Sequence, residues 1–210
     1  MKNILENMFK DILTNNQKKL LPLIKLFSSN FYLVGGTAVA LQIGHRRSID
    51  FDLFTDNSFN PLNIRKIILK KHQINQTLVQ GEGELTTIVN QVKITFFHYP
   101  FSIKRKLSFE DIIKLPDLLT LGAMKAFALG RRSKWKDYVD LYFIFQRYSL
   151  KQLTEKAKEI FKSEFNEKLF RAQLSYFDDI DYSEEIEFMR GFEKNKNEIK
   201  SFLEKIALSD

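Results

Sequence analysis

The chain has no cysteine, which excludes disulfide bonds and thiolate zinc sites and fits a cytoplasmic protein. No stretch approaches the ~18–20 uninterrupted apolar residues that a membrane span needs, so no membrane partner is expected. Residues 1–27 carry acids and amides inside their apolar pattern. They lack the compact apolar segment and small-residue cleavage site of a secretory signal and read as amphipathic helix. His45 and His98 have no partner at a useful spacing and stay outside any expected site. There is no internal repeat and no low-complexity linker.

What is present is a 210-residue chain that is 44% apolar, with 20 phenylalanines and a net charge of +7. That length fits one large domain or two small ones. The apolar share is enough for a real core. The positive surplus favours polyanionic partners, nucleic acid among them, although a lysine-rich solvated surface explains it equally well.

The first half reads as α/β. Ile4, Met8 and Ile12 share a helical face, as do Leu20, Leu23, Ile24 and Phe27. Residues 31–34 are a short strand ended by Gly35-Gly36, and residues 37–43 a helix stopped by Gly44. Residues 49–54 alternate with the period of a strand, and Asn60-Pro61 opens a helix over about 61–71. Three strand-like runs follow, the last two forming a hairpin at Asn90-Gln91. After Pro100 the texture turns helical. Residues 108–111 resemble a capping box, and helices are expected over 117–129, 134–147, 150–161, 164–176 and 184–203.

Residues 31–55, FYLVGGTAVALQIGHRRSIDFDLFT, carry the chemistry. On a strand, residues two apart share a face, so Asp50 and Asp52 project together. Two carboxylates held that close repel unless a cation lies between them. Hard oxygen donors of this kind suit Mg²⁺, which binds one or two carboxylates plus substrate phosphates. Gly35-Gly36 at a helix start exposes backbone N–H groups suited to phosphate. Thr37 adds a hydroxyl, and Arg46 and Arg47 can pair with a triphosphate or with the aspartates. In the second half Lys125 lies at the edge of an apolar stripe, where it snorkels to solvent or meets phosphate. Asp137 and Asp140 share a helix face. Lys136–Asp140 alone would be an ordinary exposed pair. Trp135 and Tyr138 are either packing or a stacking platform for a base.

The order Gly-Gly, short helix, R-x-S-I-D-F-D resembles the nucleotidyltransferase fold of polymerase-beta-like enzymes. VGGTAVAL and RRSIDFDLF resemble the AbiEii/AbiGii toxin family, and residues 121–145, LGAMKAFALGRRSKWKDYVDLYFIF, are similar to that family's downstream K…R…KD-x-x-D-L block. The resemblance implies an α+β fold, with a nucleotidyltransferase-type mixed sheet flanked by helices over residues 1–112 and a helical bundle over 113–210 that contributes Lys and Asp to the site. It implies transfer of an NMP from an NTP to RNA, such as the tRNA 3′ end, in a toxin of a toxin–antitoxin and phage-defence module with a cognate antitoxin protein. Its expected site has Asp50 and Asp52 on Mg²⁺ or Mn²⁺ and Gly35, Gly36, Thr37, Arg47 and Ser48 on the nucleotide. Lys125 contacts phosphate there, and Asp137 orients that lysine, the base or the nucleophile.

One departure stands out. Enzymes of this fold commonly carry a third carboxylate on a later strand, often as K-x-D. Here Lys93 matches, but Thr95 occupies the acid's place. Two alternatives therefore stand beside the RNA transferase: a catalytically silent nucleotide-binding module, and a transferase acting on a small-molecule or protein hydroxyl.

Overall fold

Local signals place most of the elements. Thr14 and Gln17 cap each other reciprocally to start α1 (Asn15–Lys25), which buries Leu20, Leu23 and Ile24. The computed structural model describes residues 8–129 and 131–209. Ile4, expected on a helical face with Met8 and Ile12, lies outside them, and among the described residues a 3-10 turn over Lys10–Ile12 precedes α1. The first strand, β1 (Tyr32–Val34), runs without a break into α2 (Gly35–Ile43). Gly44 closes α2 in the left-handed conformation, φ 79°. Next come β2 (Phe51–Thr55) and α3 (Pro61–Leu69), the latter with Asn60 accepting from the Leu62 N–H and Pro61 in the first turn.

Three strands follow: β3 (Ile74–Gly81), β4 (Glu84–Val89) and β5 (Val92–His98). Asn90 and Gln91 both take positive φ in the β4–β5 turn, the geometry that lets a two-residue hairpin match strand twist. The five strands form one mixed sheet in the order β1-β2-β5-β4-β3, parallel only between β2 and β5. Its register places Asp52 beside Val34 on one side and Thr95 on the other, with Thr95 opposite Thr86. Phe51, Leu53, Ile94 and Phe96 point into the core. Asp52, Phe54, Lys93, Thr95 and Phe97 alternate onto the opposite face.

Residues 108–111 are not a helix cap. They form the turn of a small hairpin of β6 (Leu107–Phe109) and β7 (Ile113–Leu115), where the Ser108 hydroxyl donates to the Glu110 carbonyl. Helices α4 (Leu118–Leu129), α5 (Trp135–Phe145), α6 (Leu150–Phe161) and α7 (Glu167–Ser175) follow the expected pattern. The expected helix over 184–203 does not form as one piece. Only α8 (Lys196–Ala207) is helical, and residues 176–195 form an irregular strap. Gly191, at φ 89°, interrupts the strap, and its backbone is bound elsewhere: Asp181 and Ser133, Glu187 and Arg47, and Met189 and His45 exchange main-chain hydrogen bonds. The strap thus ties residues 45–47 of the first half to residues 133–135 of the second. The outcome is the expected α+β architecture, a mixed sheet flanked by helices.

Candidate active site

Asp50 lies just ahead of β2 and Asp52 within it, and both line one cavity of about 440 Å³. Asp52 sits where β1 turns into α2. A Cβ on Gly35 would collide with the Asp52 carboxylate, and Gly35 has φ 70°, so two independent constraints require glycine there. A Cβ on Gly36 would strike the Arg46 guanidinium and approach Ser48. The glycine pair thus makes room for an acid and a base at the start of α2, whose cap residue, Val34, supplies no side-chain acceptor. Thr37 is buried, and its hydroxyl donates to the Asp50 carbonyl and accepts from the Ser48 hydroxyl, which fixes the loop carrying Asp50.

Among the described residues Asp52 forms no ion pair, whereas Asp50 meets Lys93 Nζ at 2.8 Å and Lys136 Nζ at 3.8 Å. Burial, reinforced by the neighbouring Asp50 charge, holds the Asp52 carboxyl above the usual carboxylate range. No group of three or more His, Cys, Asp or Glu side chains that could hold a metal ion occurs among the described residues. The acidic part of the centre is a pair. Across the sheet, the row Asp52–Thr95–Thr86 continues with hydroxyls, Thr86 Oγ1 lying 3.4 Å from Thr95 Oγ1. The next row on that face, Phe54–Phe97–Glu84, brings Glu84 into the same cavity.

Behind the cavity lies a buried ion network. Lys125 Nζ stands 2.6 Å from Asp137 Oδ1 and 2.7 Å from Asp140 Oδ2. Arg46 grips Asp140 with two donors, at 2.7 and 2.9 Å, and His45 Nε2 lies 2.7 Å from the same carboxylate. Arg132 pairs with the other Asp137 oxygen at 3.0 Å. Burial alone would raise both aspartates. For Asp140 the Arg46 and Lys125 charges and the His45 hydrogen bond outweigh it and hold the carboxyl well below its usual range. For Asp137 the charges of Lys125 and Arg132 do the same. Burial lowers the imidazole of His45 against the pull of Asp140. The neutral ring then donates from Nε2, and the buried Nδ1, which has no partner, is a bare acceptor instead of a stranded N–H.

The cavity rim is cationic. Lys93, Arg132, Lys134 and Lys136 face Asp50, Asp52, Glu84 and Asp137 across it, four charges of each sign. From the strap, Glu184 reaches Lys134 at 2.8 Å and Lys136 at 2.5 Å. Burial opposes ionisation of Glu184, but those two lysines outweigh it and pull its carboxyl down to about 2. The carboxylate therefore occupies the lysine donors as a phosphate oxygen would.

No family model matches the chain. The protein aq_aa25 of Aquifex aeolicus (strain VF5), described as uncharacterized, is 30% identical over 196 residues, which span 84% of this chain and 89% of that one. The chain belongs to that protein's family. Among solved structures it is similar to MenT4, a nucleotidyltransferase toxin from Mycobacterium tuberculosis H37Rv, with a TM-score of 0.55 at 13% identity over 92% of this chain and 82% of that one. JHP933 from Helicobacter pylori aligns with a TM-score of 0.48 at 18% identity, over 80% of this chain and 74% of that one. The MenT4 likeness establishes the fold as that of a nucleotidyltransferase, as the sequence led one to expect.

Within this nucleotidyltransferase fold the predicted residues divide into two groups. Gly35, Gly36, Ser48, Asp50, Asp52 and Asp137 all line the cavity. Lys125 lies behind it, only 5% exposed, and neither snorkels to solvent nor points an uncommitted ammonium at the cavity. Arg47 turns away to Glu187 at 2.8 Å. Arg46 pairs with Asp140 and leaves the two strand aspartates alone. Trp135 and Tyr138 are core residues, at 4% and 0% exposure. Sequence reasoning missed Lys134 and Lys136 as rim cations, because Lys134 is the extended cap of α5 and their shared partner, Glu184, lies about fifty residues on. It also set aside His45, whose partner lies 95 residues away and leaves no local trace.

Proposed function

We propose that this chain is a Mg²⁺-dependent nucleotidyltransferase that moves an NMP from an NTP to an RNA hydroxyl, with the tRNA 3′ end as acceptor. The observation that supports this most is Asp52: a half-buried carboxylate without an ion pair among the described residues, beside a second carboxylate, at an uncapped helix start. Desolvating such a group costs several kcal/mol unless a cation compensates it. Two carboxylates with room for phosphate oxygens suit Mg²⁺, or Mn²⁺ in its place, and Asp50 and Asp52 would hold it. When bound, the metal supplies charge stabilisation at the reacting phosphorus.

The remaining roles fall to the chain's own residues. Lys93, Lys134, Lys136 and Arg132 bind and orient the triphosphate, and the free N–H groups at the start of α2 add donors. Asp137, held by Lys125 and Arg132, is committed to cations and is a poor proton acceptor. Among the described residues Glu84 makes no ion pair, and it faces the same cavity, so it takes the acceptor's proton. The hydroxyl oxygen bonds to the α-phosphorus, the bond to the bridging oxygen breaks, and pyrophosphate leaves.

The net charge of +7 favours a polyanionic acceptor. The likeness to MenT4, a nucleotidyltransferase toxin, supports a toxin, and the AbiEii/AbiGii-like motifs support a cognate antitoxin within a phage-defence module. The Thr95 row favours one second reading, a nucleotide-binding module without turnover. Incubation with α-labelled NTPs, Mg²⁺ and total tRNA separates the two. Transfer to the RNA 3′ end that disappears in Asp52→Asn is expected. NTP binding without transfer establishes the silent module, and transfer unchanged in Asp52→Asn refutes the site.

A further inference from the structure

Phe54 and Phe97 do not fit the logic of the sheet. They alternate onto the face of Asp52 and Thr95, where a polar cavity lies, and they stand side by side across β2 and β5 with ring centroids 5.2 Å apart. Both remain half-buried. Beyond them opens a second cavity of about 430 Å³, walled chiefly by Phe54, Phe97, Tyr99, Phe101, Met124 and Phe127. The guanidinium of Arg131 covers the Phe127 ring at 3.6 Å and extends the wall. An apolar hollow of this kind is a ligand site when it adjoins convergent polar groups, and this one does. It shares Gly35, Phe54, Phe97 and Arg132 with the cavity that holds Asp50 and Asp52.

We propose that this aromatic hollow seats the nucleobase of the incoming NTP, an inference that rests on the nucleotidyltransferase reading. The register sets the layout. Asp50, Asp52 and Phe54 follow one another on one face, and four residues of strand span about 13 Å, the scale of an extended nucleoside triphosphate. The rim lysines at the Asp50 end take the β- and γ-phosphates, the α-phosphate lies at Asp52, and the nucleoside continues to Phe54 and Phe97. Recognition is by stacking on aromatic rings, which every base permits.

Inorganic tripolyphosphate is the discriminating probe, because it keeps the metal and phosphate contacts and lacks the base. Calorimetry in Mg²⁺ with the full-length protein compares it with each NTP. In Phe54→Ala and Phe97→Ala the NTP dissociation constant rises about tenfold or more, and that of tripolyphosphate stays within about twofold. Phe97→Tyr keeps a ring and restores NTP binding, which separates lost stacking from lost folding. Wild-type protein that binds MgNTP no better than Mg-tripolyphosphate overturns the hollow alone. So do alanine variants that weaken both ligands equally, or that raise only the KM for RNA. Wild-type protein that binds neither ligand overturns the transferase reading along with it.

Discussion

Asp140 is the side chain on which the buried half of the site closes, and its replacement by Asn tests that geometry directly. The substitution keeps the shape and removes the charge. Arg46 then loses its counter-charge and one of the two acceptors now at 2.7 and 2.9 Å, and Lys125 keeps Asp137 as its one carboxylate. Removing one partner of a buried pair costs about 3–5 kcal/mol, because the other charge stays buried. For a chain of this size that lowers the melting temperature by about 6–20 °C. Lys125→Met ranks lower on the same reasoning. Asp137 would keep Arg132, and Asp140 would keep Arg46 and His45, so no carboxylate is stranded. Urea titration followed by Trp135, the chain's one tryptophan, measures both. The sign with pH is also fixed. Asp140 is held below its unfolded value of 3.8, so its contribution is complete above that value and is lost as pH falls through the lower folded one. The stability gap between wild type and Asp140→Asn should therefore be flat across neutral pH and close only in strong acid. A loss below about 1 kcal/mol, or a larger loss in Lys125→Met, would falsify this account of the network.

Four further outcomes are expected. Gly35→Ala pushes a Cβ into the Asp52 carboxylate and should cut transfer about 100-fold while the protein stays folded by circular dichroism; near-wild-type turnover would contradict the packing described. Asp52 has the opposite pH sign from Asp140. Its folded pKa is raised, so metal-free stability is greatest below its unfolded value of 3.8 and falls as pH rises through the folded one. Asp52→Asn should thus melt higher than wild type at neutral pH without metal, and a lower melting temperature would refute the assignment. Glu84→Gln should slow turnover about 100-fold with unchanged NTP affinity, and adding Thr95→Asp should recover part of it; a change below about threefold rules Glu84 out as proton acceptor. Glu184→Gln releases Lys134 and Lys136 and should tighten MgNTP binding about 2- to 5-fold, measured by calorimetry, whereas weaker binding would show that the strap supports the site instead of competing for its lysines.

What could be read from the sequence, and what could not, follows from how far apart the cooperating residues lie. Asp50 and Asp52 were legible because strand periodicity is local, and so was the glycine pair, about fifteen residues earlier. The same periodicity already put Phe54 on the catalytic face, two residues beyond Asp52, though a phenylalanine in a strand invites assignment to the core. The helix over 184–203 was misread because SEEIEFMRGFEKN has helical composition but spends backbone hydrogen bonds at Glu187 and Met189 on Arg47 and His45, a tertiary choice no local window contains. Lys125 shows the limit best. Its place on α4 was visible, yet whether its ammonium met solvent, phosphate or protein depended on Asp137 and Asp140, which α5 brings together from successive turns of one face. Because both carboxylates reach it, the lysine holds α5 at a fixed depth behind the cavity. Asp137 therefore lines the cavity with its charge already paired, as Asp50 does through Lys93 and Lys136, and Asp52 is left as the strand carboxylate without an ion pair among the described residues.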